Sequence, residues 1–306
     1  MKIVEYRKIF FTLSAILIGL SLASFFAFGF NFGIDFKGGT LTEVRFEGER
    51  PDKTSLEEKI STLGLGGFSL RPSGETNYVV RTKELSREEA NALLETMGNP
   101  TLERQNTVGP VAGAELRSKA FQAVSVATIL IVLFITFAFR KVSHSILPKV
   151  EGTRVPSWKY GLATIVALLH DIIIPVGIFI SLGHFYGHEI DLLFVSGILA
   201  ILGYSVHDTI VVFDRVRENL RLNDEAKSIE PFETTVGRSV RQTLVRSINT
   251  SLTLIITLAA LYFVGSGATK DFSLLLIIGV IVGTYSSICV ASPLLVTLQK
   301  LQKASK

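Results

Sequence analysis

The chain has 306 residues, of which 48% are hydrophobic and only 19% charged, with a mean hydropathy of +0.43. That is too apolar for an ordinary soluble domain and points to a protein with many membrane spans. A net charge of +4 and a pI near 9.1 would suit a nucleic-acid binder until the charge is located along the chain, and a single cysteine, Cys289 in an apolar run, excludes a disulfide framework or a thiolate metal site.

Crossing the hydrocarbon core takes roughly 20 apolar residues, and six segments qualify: about 9–30, 119–139, 160–182, 190–213, 247–265 and 272–298. The first follows "KIVEYRK" and has the charged start of a secretory signal. Its apolar run from Ile9 to Phe30 is well beyond the roughly 7–15 residues of a signal h-region, and no A-x-A-like cleavage site is evident, so an uncleaved first span is expected.

Between the first two spans lies the one long segment that faces away from the basic loops, residues 31–118. It reads as strand (Thr40–Phe46), helix (Ser55–Leu63), strand (Gly67–Arg71), strand (Asn77–Arg81), helix (Arg87–Met97) and strand (Thr101–Thr107). The alternation in "TLTEVRF" and "NYVVRT" is strand-like. Ser86 followed three residues on by Glu89 predicts a capping box at the second helix. The order β-α-β-β-α-β is that of a ferredoxin-like unit. Ahead of it, "GIDFKGGT" holds Asp35, Gly38 and Gly39, where Gly-Gly makes a bend and Asp35 caps it.

Farther along, basic residues collect in alternate connections. Lys2, Arg7 and Lys8 precede the first span; Arg140, Lys141, Lys149, Arg154 and Lys159 follow the second. Arg215, Arg217, Arg221, Lys227, Arg238 and Arg241 follow the fourth, and Lys300, Lys303 and Lys306 follow the sixth. The opposite short loops hold no basic residue in "GHFYGHE" and only Lys270 in "GSGATKD". Lys and Arg mark the cytoplasmic side, so both termini are expected there, and the basic pI becomes a topology signal that argues against nucleic acid as a partner. Within the long loop, Phe232, Val236, Val240 and Leu244 recur every four residues after Pro231, which predicts a helix lying on the cytoplasmic surface. Trp158 and Tyr160 read as an interfacial aromatic belt. The expected fold is an α-helical polytopic membrane protein: residues 1–30 form a cytoplasmic tail and span 1, residues 31–118 a small outward α+β domain, and residues 119–306 spans 2–6 with cytoplasmic loops 140–159 and 214–246 and a cytoplasmic C-terminal tail.

Two spans carry ionisable groups, each costing about 2.5–3.5 kcal/mol at the helix centre. In "ALLHDIIIPVG", His170 and Asp171 lie about 16 Å from Tyr160 along the helix. In "GYSVHDTIVVFDRVREN", His207 and Asp208 sit roughly 10 Å before Arg215. Arg246, opening the fifth span at a similar level, is placed to pair with Asp208. Gly197, Tyr204, Ser205 and Asp208 share a helix face within about 60°, as do Thr164, Ala167 and Asp171, and small neighbours place each Asp against other helices. Gly279, Gly283 and Ser287 form a packing stripe on the sixth span. Asp208, Arg246, Asp171, His207 and His170 are the candidate proton-coupling set: burial favours the neutral acid, a nearby Arg the carboxylate, and a movable Arg would switch between them. The bland alternative is a structural ion pair. One or two protons suffice in energy, since a charge crossing 100 mV contributes about 2.3 kcal/mol and a switch from 1:99 to 99:1 needs about 5.5 kcal/mol. His184, His188, Glu189 and Asp191 in "HFYGHEID" read as loop polarity rather than metal ligands, and "LLHD" and "SVHD" lack the Tyr-Asp and Gly-x-Gly-Asp contexts of intramembrane aspartyl proteases. No metal, cofactor or enzymatic site is expected.

"FGIDFKGGT", "VGPVAGAELRSKA", "ALLHD", "GYSVHDTIVVFDRVREN" and "SVRQTLVRSINTS" occur in the order found in the SecF branch of the SecD/SecF protein-export family, within the resistance-nodulation-division superfamily, and the chain resembles that family along nearly its whole length. His207 departs from the family's Asn. The resemblance implies a bacterial cytoplasmic (inner) membrane protein that, with SecD, associates with the SecYEG channel, with YajC as a further companion, and draws preproteins outward using the proton-motive force. It places Asp208 and Arg246 on the family's functional charged pair, Asp171 on a further "HD" motif, and Asp35, Gly38 and Gly39 at the anchor of the outward domain. The residues alone leave open a proton-coupled small-molecule or lipid exporter of the same superfamily, or a passive scaffold.

Overall fold

The computed structural model describes residues 4–138, 156–228, 230–265 and 267–304. Lys2, the basic residues 140–154 and Lys306 lie outside them. Among the described residues, six helices are long and apolar enough to cross a membrane. They are α1 (Arg7–Phe28), α5 (Pro110–Ala138), α6 (Ser157–Tyr186), α7 (Leu192–Glu225), α8 (Phe232–Val264), and α9 (Gly267–Ser286) running through a π-helical turn (Ser287–Ala291) into α10 (Ser292–Ala304). α6, α7 and α9 form the centre of the bundle; α1, α5 and α8 flank it and expose most of their apolar surface, as helices facing lipid or another protein do.

Small residues let the central helices approach. A Cβ on Gly279 would lie 2.2 Å from Ile201 and one on Gly283 3.2 Å from Ser205, so the stripe expected on the sixth span seats α9 on α7. Gly177 does the same for α6 against Ser21 of α1. Gly279→Val therefore overpacks the centre. We expect a loss of about 1–3 kcal/mol, read as a lower midpoint of thermal denaturation in detergent, and partial recovery in the double variant with Ile201→Ala. An unchanged midpoint would show that the two helices do not pack through this contact.

Between the first two spans a four-stranded antiparallel sheet runs in the order β2-β3-β1-β4, built from β1 (Gly39–Arg45), β2 (Ser69–Ser73), β3 (Asn77–Thr82) and β4 (Thr101–Val108). Helices α3 (Lys53–Ser61) and α4 (Arg87–Thr96) cover one face, over a core of Val44, Leu56, Ile60, Leu70, Tyr78, Val80 and Leu93. This is the ferredoxin-like order. The capping box at Ser86 and Glu89 is formed in both directions. The helix of the second span begins at Pro110, directly after β4, so it already includes residues read from sequence as the end of the outward segment.

Two expectations are corrected. The stripe Phe232, Val236 and Val240 does not lie on a membrane surface: it is buried against Val212, Phe213 and Val216, because α8 is one helix from Phe232 onward and packs antiparallel to an equally prolonged α7. The two project as a hairpin at the end opposite the sheet domain, pinned by Asn219 Nδ2 donating to Ser239 Oγ at 2.8 Å. Tyr160 is buried edge-on against Phe213, at 5.3 Å between rings, leaving only Trp158 exposed as an interfacial aromatic.

Candidate functional site

Thr164, Ala167 and Asp171 are buried along one face of α6, as their spacing predicts. Asp171 joins three helices. Its Oδ1 meets His170 Nδ1 at 2.8 Å, while Oδ2 accepts from Ser205 Oγ of α7 and, at 2.6 Å, from Ser286 Oγ of α9. The His170 ring lies over Tyr285, 5.8 Å between centroids, and the Tyr285 hydroxyl donates to the Phe10 carbonyl of α1 at 3.0 Å. All the acceptor directions that matter on Asp171 are thus occupied by protein.

Asp208 is held differently. Ser247 Oγ of α8 donates to Oδ1 at 2.6 Å, and among the described residues Oδ2 is buried with no hydrogen-bond partner. The expected pairing with Arg246 is not made: neighbours on a helix diverge by about 100°, so Ser247 turns inward to the carboxylate and Arg246 projects to the outer face of α8. His207 is exposed next to Asp208 for the same reason.

One turn closer to the sheet domain, Tyr204 Oη, Ser251 Oγ and Thr284 Oγ1 meet from α7, α8 and α9, with 2.7 Å from Tyr204 to Ser251 and 2.6 Å from Ser251 to Thr284. On the other side Thr209 and Ser287 share a hydrogen bond of 2.8 Å at the π-helical turn, a feature found often at functional sites. Of these groups, helix faces read from sequence single out Tyr204, Ser205 and Ser287 and miss Thr209, Ser247, Ser251, Thr284, Tyr285 and Ser286. Polar residues recurring at 247, 251 and at 284, 286 in otherwise apolar spans were the available signal.

The candidate anchor residues meet the same bundle from outside. Gly38 and Gly39 have φ of +80° and +127°, and a Cβ on Gly39 would lie 2.4 Å from the Thr82 carbonyl of β3, so both the bend and the close strand require glycine. Asp35 does not cap its own bend: Oδ2 accepts from the Leu192 amide at 3.0 Å, capping the start of α7 beside Asp191, which accepts from Phe194 at 2.7 Å. In the "HFYGHEID" loop the candidate ligands are engaged by protein groups: His188 by Asp271 at 2.8 Å, Glu189 by Arg81 at 2.8 Å, and His184 by stacking on Phe28.

A six-helix bundle with buried, hydroxyl-ligated carboxylates at its centre and one small α+β domain inserted after the first helix defines a polytopic membrane protein of the transport class. Residues 89–146 and 155–301 match the family described as protein export membrane protein SecD/SecF, C-terminal, and residues 23–49 match the SecD/SecF GG motif. The chain belongs to the SecD/SecF family. Among its relatives, the protein translocase subunit SecF of Thermobaculum terrenum is 41% identical, over 96% of this chain and 93% of that one, and that of Sebaldella termitidis 36% identical over 100% and 94%. The crystal structure of SecDF, a translocon-associated membrane protein from Thermus thermophilus, superposes with a TM-score of 0.83 at 32% identity, covering 98% of this chain and 39% of that longer one.

Proposed function

We propose that this chain is the auxiliary subunit that works with SecD on the SecYEG channel, in the bacterial cytoplasmic membrane, and converts the proton-motive force into outward movement of preproteins. The observation that carries the proton-coupling reading is the half-satisfied carboxylate of Asp208, bound by Ser247 through one oxygen, buried and among the described residues without a hydrogen-bond partner at the other, with Arg246 and His207 exposed beside it. A carboxyl oxygen that no protein donor has claimed is free to take a proton, and a charge that approaches and retreats would bias whether it does so. The Tyr204–Ser251–Thr284 hydroxyls form the next step toward the sheet domain, which in this reading lies outside the cell. The concentration of Arg and Lys in the alternate connections supports cytoplasmic termini.

Partnership with a second membrane subunit is supported by the outer face of α8. Arg246, Asn249, Thr250, Thr253 and Thr257 are all exposed and fall on one stripe of that helix. The three threonine hydroxyls turn back onto carbonyls of α8, so Arg246 and Asn249 are the groups that lipid tails would leave unmet; SecD spans would cover them, and YajC would join the same assembly. SecDF of Thermus thermophilus, where the matching segment is part of a longer chain, is consistent with that neighbour. The sheet domain, with its solid core between α3, α4 and one sheet face, favours a lever over the substrate-binding domain a small-molecule exporter would need.

Export of a secreted reporter, in cells whose own copy is replaced by this chain, tests the reading. Wild type should accelerate export only while the proton gradient stands, and Arg246→Met should behave as if an uncoupler were always present. Acceleration by Arg246→Met that an uncoupler still abolishes would sink it.

A further inference from the structure

The short loop between the third and fourth spans, residues 187–191, holds the sheet domain at two places. Its backbone pairs with the connector out of the first span: the Gly33 amide donates to the Ile190 carbonyl at 2.9 Å, the Ile190 amide to the Asn31 carbonyl at 2.9 Å, and Asn31 Nδ2 to the His188 carbonyl at 3.0 Å. Its one long acidic side chain, Glu189, reaches the sheet face that α3 and α4 leave open. There Oε2 lies 2.8 Å from Arg81 Nε on β3, and Oε1 3.8 Å from Arg71 Nη1 on β2. Glu189 is only 11% exposed, and the loop leaves no room around the clamp. A Cβ on Gly187, which has φ +78°, would lie 2.4 Å from the Arg71 guanidinium carbon, and one on Gly33 3.1 Å from Glu189 Oε2.

The charges around this clamp are Arg71, Arg81, Lys37, Asp191 and Asp271, with Asp35 beside Asp191. Burial pushes the Glu189 carboxyl above the ordinary carboxylate range, with Arg81, Arg71 and Lys37 pulling it down, and burial draws Arg81 below its usual value. Such a pair has been taken out of water, and removing one partner leaves an uncompensated charge.

The loop is also rigidly placed in the bundle. It is continuous with α6, which carries Asp171, and with α7, on which Asp208 lies sixteen residues beyond Leu192, about 24 Å along one helix. With five residues between the two helices, the loop has no slack to absorb a shift of either.

We propose that the Glu189–Arg81 clamp is a fixed joint that transmits displacement of the third and fourth spans into the sheet domain, with Glu189 and Arg81 as positioning residues for export. This rests on the proton-driven reading above.

The test uses the whole export complex in cells, with the reporter assay and the membrane level and thermal midpoint of the chain read together. Glu189→Arg should lower export per chain present in the membrane at least about tenfold, well inside what breaking a buried pair costs, and the reversed pair, Glu189→Arg with Arg81→Glu, should return it to within about threefold of wild type. In a Cys289→Ser background, Arg81→Cys with Glu189→Cys should lose export and regain it when a short bismaleimide tethers the two thiols. Normal export by Glu189→Arg, a reversed pair no better than the single variant, or a tether that fails to restore export would each overturn the joint. Wild type with and without an uncoupler is run alongside. If wild-type export ignores the uncoupler, the proton-driven reading falls, and the joint is then judged on the tether alone.

Discussion

Replacing Asp208 with asparagine is expected to remove most of the uncoupler-sensitive share of export and to leave the uncoupler-insensitive share. Asparagine keeps the shape and can still accept from Ser247 Oγ through its carbonyl, so the contact between α7 and α8 survives. What it loses is titration. One charge crossing 100 mV contributes about 2.3 kcal/mol, a factor of roughly 50 in an equilibrium at 1.4 kcal/mol per tenfold. A site that no longer takes up the proton forfeits that bias entirely, so proton-dependent export should fall at least about tenfold. Pulse-labelled reporter export, followed with and without an uncoupler, reads the loss. A variant that remains as uncoupler-sensitive as wild type would show that the proton is exchanged elsewhere. Ser247→Ala offers the contrast: it frees Oδ1 yet leaves a titrating acid, and should reduce the same component by no more than about threefold, at the low end of what one lost hydrogen bond costs, because the titrating group itself remains.

Much of this arrangement was written plainly in the sequence. Hydropathy located the six spans because lipid thickness sets a length that little else in a protein imitates. Turn chemistry and alternation placed the ferredoxin-like unit, down to the Ser86–Glu89 box. Helical spacing turned Asp171 and Asp208 inward. Hydropathy fails where a helix outlasts the membrane: α7 runs on to Glu225 with a charged outer face, and α8 starts at Phe232, because Val212, Val216, Phe232 and Val236 bury one another in a hairpin. A stripe that reads as membrane-binding can equally bind a neighbouring helix, and periodicity does not say which. The same blindness hid the carboxylate partners. Ser247 and Ser286 are 39 and 115 residues from the acids they serve, so no local pattern connects them. Arg246 drew attention because it is charged, whereas its modest neighbour makes the contact. Glu189 shows only loop polarity in the sequence because its partners, Arg71 and Arg81, belong to another domain.

The two intramembrane acids differ in how much of each is already used, and that difference separates their roles. Asp171 accepts from Ser205 and Ser286 and meets His170, and it is fully buried; it ties α6, α7 and α9 together at the bundle centre. Removing it with Asp171→Ala strands His170 Nδ1 and Ser205 Oγ, while Ser286 Oγ can fall back on the Gly283 carbonyl, 3.0 Å away. Each buried polar group left without a partner costs about 1–3 kcal/mol, so a loss of about 2–5 kcal/mol is expected, a large fraction of the roughly 5–15 kcal/mol that holds a typical protein folded. Asp171→Asn, whose amide can still accept from a serine and bond the imidazole, should recover most of it. The measurement is the thermal midpoint of the purified chain in detergent, with export scored in parallel. A central brace predicts that Asp171→Ala loses both fold and export while Asp171→Asn keeps both, the reverse of the outcome for Asp208→Asn, which keeps the fold and loses the proton-driven export. If Asp171→Asn instead folds normally and loses uncoupler-sensitive export, the buried acid is a second proton carrier, and the route from the Tyr204 hydroxyls must branch through Ser205 to reach it.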